Sequence, residues 1–103
     1  MISSVTVTFN PDILCLEKQF LSLQGQIDSA VIIDNGSRNY EEIKNLAEKF
    51  NFVLINLPEN MGLSHAQNIG IQNAISCGAE YLLLLDQDLS LIHISEPTRR
   101  VVI

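Results

Sequence analysis

Residues 81–90 read YLLLLDQDLS, where four consecutive leucines lead directly into two aspartates, Asp86 and Asp88. A continuous apolar run of this kind is typical of a strand that is covered on both faces, as in a parallel sheet. A carboxylate at the end of such a strand is costly to remove from water unless a partner compensates its charge. The stretch therefore predicts a buried parallel strand that carries two negative charges to a polar partner.

The chain before residue 81 contains three further strand patterns. SSVTVTF at residues 3–9 is rich in β-branched residues and stops at Asn10-Pro11, where proline removes a backbone donor. AVIID at 30–34 and FVLINL at 52–57 are short apolar runs that end in a turn or at a proline. Together with residues 81–86, these patterns predict four strands.

Apolar residues at helical spacing separate the strands and predict three helices, which cover residues 12–26, 39–50 and 64–78. Asn39 with Glu42, and Ser64 with Gln67, fit capping boxes at two of the helix starts. Small residues recur on one face of the third helix and predict a close approach to its neighbour: Ala66, Gly70 and Ala74.

The alternation of strands and helices predicts an α/β fold with an open parallel sheet and helices on its faces. In such sheets, ligands bind beyond the carboxyl ends of the strands. The unusual polar residues and one glycine of the sequence all fall at those ends, and we expect them to cluster there: Asn10, Asp34, Asn35, Asn60, Gly62, Asp86 and Asp88.

Length and charge limit the classes of partner. The chain has 103 residues, of which 47% are hydrophobic, so it is large enough for one modest core. Its net charge of −6 argues against nucleic acid and anionic membranes as primary partners. The sequence contains neither a membrane-spanning run nor the pattern of a signal peptide, which predicts a cytoplasmic location.

Cys15 and Cys77 lie far apart and show neither zinc-ligand nor redox-motif spacing. We expect both to be reduced and buried. His65 is expected to be an exposed residue in the first turn of the third helix rather than a catalytic residue.

Two aspartates at positions i and i+2 suit a hard divalent cation such as magnesium or manganese, which prefers oxygen ligands. These ions usually complete their shell with water and substrate phosphates, so the pair indicates a phosphorylated or nucleotide substrate. The alternative is two solvated turn residues that bind no ion.

Four motifs, VTFNP, VIIDNGS, NMGLSHAQNIG and LLLLDQD, occur in the order and at nearly the spacing found in the family 2 glycosyltransferases. The resemblance covers residues 3–88. The NxGxxxAxNxG pattern that starts at Asn60 is similar to rhamnosyltransferase-type members. The resemblance to this family implies the N-terminal half of the GT-A fold and a nucleoside-diphosphate sugar donor, with dTDP-rhamnose as one candidate.

The resemblance also implies roles for individual residues. Thr8, Phe9 and Asn10 match positions that line the nucleobase pocket, and Asp34 matches the residue that accepts a hydrogen bond from the base. A carboxylate suits this role because uracil and thymine present an N–H donor.

By the same resemblance, Asp86 matches a carboxylate near the ribose and metal, and Asp88 matches the direct metal ligand that bridges to the diphosphate. Asn60, Gly62 and Asn68 belong to the implied substrate-binding set. For the asparagines, holding the loop or capping the helix without ligand contact is the alternative.

The reaction implied by the family is glycosyl transfer to a hydroxyl of a saccharide or lipid-linked acceptor. The family's general base follows the DxD motif at a distance, so no catalytic residue is assigned here, and we expect the chain to be inactive alone. The resemblance leaves open peripheral membrane association of a full-length protein.

Residues 89–103 depart from the family pattern. LSLIHISEPTRR resembles translated sequencing-adapter DNA, so we expect a binding half-domain at residues 1–88 and a non-native tail at 89–103. The alternative is a genuine fifth strand, LSLIHI.

Two other functions fit part of the sequence. LLLLDQDLS resembles the motif of haloacid dehalogenase phosphohydrolases, with Asp86 as nucleophile and Asp88 as acid/base. A non-catalytic α/β module such as a receiver domain would instead need an acidic pair after the first strand, where the sequence reads TFNPD.

Overall fold

Four parallel strands form one sheet in residues 1–86, the part of the chain that the computed structural model describes; for Asp86 it describes the backbone alone. The order across the sheet is β3-β2-β1-β4. The elements run as follows: β1 Ile2–Thr8, α1 Ile13–Leu23, β2 Ser29–Asp34, α2 Tyr40–Phe50, β3 Val53–Asn56, α3 Leu63–Ser76 and β4 Tyr81–Asp86. The predicted open parallel α/β sheet with flanking helices is confirmed.

β1 lies at the centre of the sheet, between β2 and β4. Thr8 pairs with Asp34 on one side, and Val7 pairs with Asp86 on the other. Since all the strands are parallel, their carboxyl ends meet at one edge, as the sequence predicted. The loops that follow β1, β2 and β3 are therefore neighbours in space.

Helices cover the two faces of the sheet separately. Consecutive strand residues point to opposite faces, and Ile32 packs with α1 and α2 whereas Ile33 packs with α3. An aromatic cluster fills the first face. The centroid of the Phe20 ring lies 5.0 Å from that of Phe52 and 5.6 Å from that of Phe50, and both pairs pack edge to face. The predicted apolar stripe of α2 is buried in this cluster: Ile43, Leu46, Ala47 and Phe50.

The opposite face receives the small-residue side of α3. Ala66, Gly70 and Ala74 are the buried residues of this helix, as the sequence predicted. A Cβ atom built on Gly70 would lie 2.5 Å from Val5 Cγ1 and 3.2 Å from Ile33 Cγ1. Helix and sheet can approach this closely only because position 70 has no side chain.

The helix starts differ from the predicted capping boxes. α3 begins at Leu63 rather than Ser64, and Gly62 precedes it at φ 90° without a side-chain cap, so the Ser64–Gln67 box was wrong. Asn39 does precede α2, but its side-chain Nδ2 donates to the Pro11 carbonyl oxygen, 3.0 Å away, and makes no cap bond. The Asn39 side chain therefore bonds to another loop instead of capping its own helix.

The cap at α1 was not predicted as such. The Asp12 carboxylate accepts hydrogen bonds from the backbone amides of Leu14 at 2.9 Å and Cys15 at 3.3 Å. A short acceptor directly before the helix satisfies amides that have no partner within it.

The predicted burial of the cysteines was wrong, because both are exposed. Cys15 falls outside the buried stripe of α1, which includes Leu16 and Phe20, and Cys77 lies just beyond the last residue of α3. The position of each cysteine relative to its helix therefore outweighed the usual preference of cysteine for the interior. Within residues 1–86, no helix has the length and apolar content needed to cross a membrane.

We expect Gly70→Ala to lower the free energy of unfolding by about 1 to 3 kcal/mol, because the added methyl group overpacks a filled interface. Val5 is β-branched and 1% exposed, so it cannot easily move aside. Urea unfolding measures the change. The control, Gln72→Ala on the exposed side of the same helix, should stay within about 0.5 kcal/mol of the wild type. A Gly70→Ala variant as stable as the wild type would contradict this close packing.

Candidate functional site

Three loops meet at the carboxyl edge of the sheet: residues 9–12 after β1, 35–39 after β2 and 57–62 after β3. We call them the rim loops. Side chains from each loop bond to the backbone of the next, so the loops form one connected surface rather than three independent turns. Most of the residues predicted to bind a ligand lie in these loops or at the strand ends beneath them.

Asp34 is the centre of this surface. Its side chain is fully buried at 0% exposure. The Oδ1 atom accepts hydrogen bonds from the hydroxyl groups of Thr8, at 2.9 Å, and Ser37, while Oδ2 accepts the Ser37 backbone amide at 3.0 Å. Three donors therefore compensate a carboxylate that would otherwise be too costly to bury.

Asn10 joins the first rim loop to the second. Its backbone amide donates to Ser37 Oγ at 2.8 Å, and its side-chain Oδ1 accepts from the Arg38 amide at 2.7 Å. Asn10 has a φ of 48°, in the left-handed region that asparagine tolerates better than most residues. This conformation is held by both bonds, so Asn10 has a structural role besides any contact with a ligand.

Asn35 joins the second rim loop to the third. Its backbone amide donates to the Thr8 carbonyl oxygen at 2.8 Å. Its side-chain Oδ1 accepts from the Met61 amide at 2.9 Å, and its Nδ2 donates to Asn60 Oδ1 at 3.2 Å. Asn60 Oδ1 also accepts from the Gly62 amide at 2.9 Å. Sequence reasoning placed Asn35 at the edge but gave it no role.

Gly36 was also missed as an individual position. It has φ 86°, and a Cβ atom built there would lie 2.7 Å from the Glu59 carbonyl carbon and 2.9 Å from the Asn60 backbone nitrogen. The third rim loop thus packs directly against the backbone of the second. The NGS sequence predicted a turn, but no local sequence pattern indicates that this turn contacts a distant loop.

The other predicted residues differ in their exposure. Phe9 is 43% exposed at the rim, and Gly62 has a positive φ of 90°. Asn68 and His65 are exposed on α3. The structure thus brings Thr8, Asn10, Asp34 and Asn60 into one network, while Asn68 lies outside it and His65 has the predicted exposure.

The backbone of Asp86 lies at the carboxyl end of β4, next to Val7. Asp34 and Asp86 therefore end the two strands that flank β1, on the order of 10 Å apart across two strand spacings. The Asp86 side chain and all of Asp88 and residues 89–103 lie outside the described residues. Their predicted roles stay predictions, and among the side chains that are described, no three acidic, cysteine or histidine residues converge as a metal site.

The far edge of the sheet has its own ion pair. The Met1 ammonium group lies 2.7 Å from Glu80 Oε1, and this hydrogen bond and positive charge lower the pKa of Glu80 below its ordinary value. Both groups lie at the amino end of the strands, so this titration is remote from the rim loops.

The comparisons with known proteins agree on one family and one fold. Residues 3–93 match the family described as glycosyl transferase family 2. The dTDP-rhamnosyl transferase RfbF of Shigella flexneri is 37% identical over 87 residues, which is 84% of this chain and 29% of that protein.

Two solved structures share the fold. Mannosyltransferase PcManGT from Pyrobaculum calidifontis, in complex with GDP-Man and Mn²⁺, superposes with a TM-score of 0.72 at 19% identity, covering 86% of this chain and 28% of that one. TarS 1-349 of S. aureus, in complex with UDP-GlcNAc, gives 0.67 at 22% identity, with 84% and 26% covered. The chain therefore spans less than a third of the length of these relatives.

We expect Gly36→Ala to destabilise the protein much more than Gly25→Ala. Both glycines have positive φ, so each substitution incurs about 1 to 2 kcal/mol of backbone strain. Only position 36 adds a clash with backbone atoms, since a Cβ atom at Gly25 would meet nothing within 4 Å. Urea unfolding of the two variants measures the difference. Equal losses would show that the second and third rim loops are not in direct contact.

Proposed function

Because this chain belongs to glycosyl transferase family 2, we propose that it forms the part of a glycosyltransferase that binds a nucleoside-diphosphate sugar. The main support is the convergence of three linked loops at the carboxyl ends of parallel strands, where sheets of this kind bind nucleotides. PcManGT and TarS, which share the fold, were solved with GDP-Man and UDP-GlcNAc.

The nucleobase is proposed to bind over the end of β1. Phe9 offers a half-exposed ring for stacking, and Thr8 and Asn10 bound the same loop. Asp34 is the proposed acceptor of the base N–H. Among the described residues, its Oδ2 accepts one hydrogen bond, which leaves a second lone pair for the base, but the side chain is fully buried. Contact with a base therefore requires the Ser37 turn to move aside.

The proposed cofactor is a divalent metal ion, manganese or magnesium, held by Asp86 and Asp88. The donor set fits, because two carboxylates supply hard oxygen ligands and the Asp86 backbone ends its strand at the ligand edge. When bound, the ion would stabilise the charge on the departing diphosphate. Two structures with this fold contain Mn²⁺: PcManGT and glucosyl-3-phosphoglycerate synthase from Mycobacterium tuberculosis.

The proposed donor is dTDP-rhamnose, since the RfbF relative is a dTDP-rhamnosyl transferase. Thymine carries the N–H donor that the Asp34 carboxylate would accept. The proposed acceptor is a saccharide or lipid-linked hydroxyl, and we place its recognition and the general base in sequence beyond the aligned 29% of that relative. Cytoplasmic location and peripheral membrane association remain predictions.

The alternative functions fit the structure less well. A haloacid dehalogenase motif usually follows the first strand, whereas the DxD pair here follows the fourth. A receiver domain would need an acidic pair after β1, but β1 is followed by Phe9, Asn10 and Pro11. Neither alternative uses the network around Asp34.

We expect dTDP with Mn²⁺ to raise the Tm of the chain, whereas dTDP with a chelator should raise it much less. At a nucleotide concentration about 100 times Kd, binding adds about 2.7 kcal/mol, which corresponds to about 10 °C or more for a domain of this size. Asp88→Asn should remove the metal-dependent part of the shift. The control, Glu48→Gln on the exposed surface of α2, should retain it. A wild type that responds to neither dTDP nor UDP with either ion would refute the proposed function.

We expect Asp34→Asn to weaken dTDP binding about tenfold to a hundredfold, because a hydrogen bond to a charged acceptor contributes about 1.5 to 3 kcal/mol. Isothermal titration calorimetry measures the affinity, and urea unfolding of the free variant separates loss of binding from loss of the fold. An Asp34→Asn variant that folds and binds dTDP as tightly as the wild type would exclude contact between the carboxylate and the base.

A further inference from the structure

The side chain of Asn35 links two loops that are far apart in the sequence. β2 and β3 pair up to Asp34 and Asn56, and the Leu57 amide donates to the Asp34 carbonyl oxygen at 2.8 Å. Beyond that point the strands separate. The Asn35 carboxamide continues the connection, since its oxygen accepts the Met61 amide and its nitrogen donates to Asn60.

Asn35 is buried, and both the oxygen and the nitrogen of its carboxamide form hydrogen bonds. Asn35 is 3% exposed, and both ends of its carboxamide bond to the third rim loop. A buried amide with satisfied hydrogen bonds fixes its partners, because breaking one bond leaves a polar group without water. Asn60 extends this link to Gly62, the residue directly before α3, because the Gly62 amide donates to Asn60 Oδ1.

We propose that Asn35 is a positioning residue for the donor site, which acts through Asn60 and Met61 rather than by touching the donor. The proposal rests on the proposed function, because it assigns the third rim loop to the pocket for the nucleoside diphosphate. Both ends of the Asn35 carboxamide already bond to the third rim loop, so the proposal assigns it no contact with the ligand. Its role is to hold the loop in the binding conformation before the nucleotide arrives, which lowers the entropy lost on binding.

The link itself can be tested without any ligand. Amide hydrogen exchange measured by NMR should show Met61 protected in the free wild type and exchanging at least about tenfold faster in Asn35→Ala. Asn35→Asp should keep Met61 protected, since a carboxylate oxygen still accepts the amide. Asn60→Ala changes an exposed residue and gives a second variant in case Asn35→Ala does not fold; it should speed exchange at Gly62.

The positioning role is tested by nucleotide affinity. Asn35→Ala should weaken dTDP binding in the presence of Mn²⁺ about tenfold or more, which is typical when a residue that supports a binding site is lost. Asn45→Ala, an exposed asparagine of α2, is the matched control and should bind like the wild type.

Each outcome has a distinct meaning. Unchanged Met61 exchange in Asn35→Ala would refute the link, and faster exchange with unchanged dTDP affinity would refute the positioning role. A wild type that binds no nucleotide, while Met61 exchange still depends on Asn35, would refute the proposed function and the positioning role together, and would leave Asn35 a loop-holding residue only.

Discussion

The arrangement of the rim depends on one buried negative charge. Asp34 ends β2 inside the fold, where a carboxylate is unfavourable unless donors surround it. The hydroxyl groups of Thr8 and Ser37 and the Ser37 amide supply those donors, and they come from a neighbouring strand and from the following turn. In the ligand-free structure, these bonds hold the end of β1 and the turn after β2 in place. The other contacts between the rim loops are made around the end of β1 and the turn after β2.

The central strand carries more polar residues than its position suggests. Ser3, Ser4, Thr6 and Thr8 of β1 are all almost fully buried. Ser3 pairs its hydroxyl with that of Ser29 at 2.8 Å, and Thr8 serves Asp34, but Ser4 Oγ has no partner among the described residues. Near the carboxyl end of the strand, Thr8 provides a hydroxyl group that donates to the buried Asp34 carboxylate.

Strand and helix order could be predicted from the sequence because each element carries a local signal. The leucine run of β4 and the apolar stripe of α2 indicate in the sequence that these segments are buried. The small residues on one face of α3 indicate that this helix packs closely on its neighbour. The edge at which Asp34 and Asp86 lie followed from the parallel topology alone. These features need no knowledge of which side chains meet.

Features that depend on contacts between loops could not be predicted. Asn39 fits a local cap by sequence, yet its side chain donates to the Pro11 carbonyl oxygen in another loop. The same holds for Asn35 and Gly36, whose partners lie about 25 residues further along the chain. Each of these contacts depends on how loops that are distant in sequence meet in the folded protein.

The central place of β1 gives the edge of the sheet a fixed span. Asp34 and Asp86 end the strands on either side of it, on the order of 10 Å apart, with Thr8 between them. If the proposed donor contacts both strand ends, it must extend across the end of β1, and a nucleoside joined to a diphosphate has the length to do so. The order of the strands thus sets the distance over which such a ligand would have to extend.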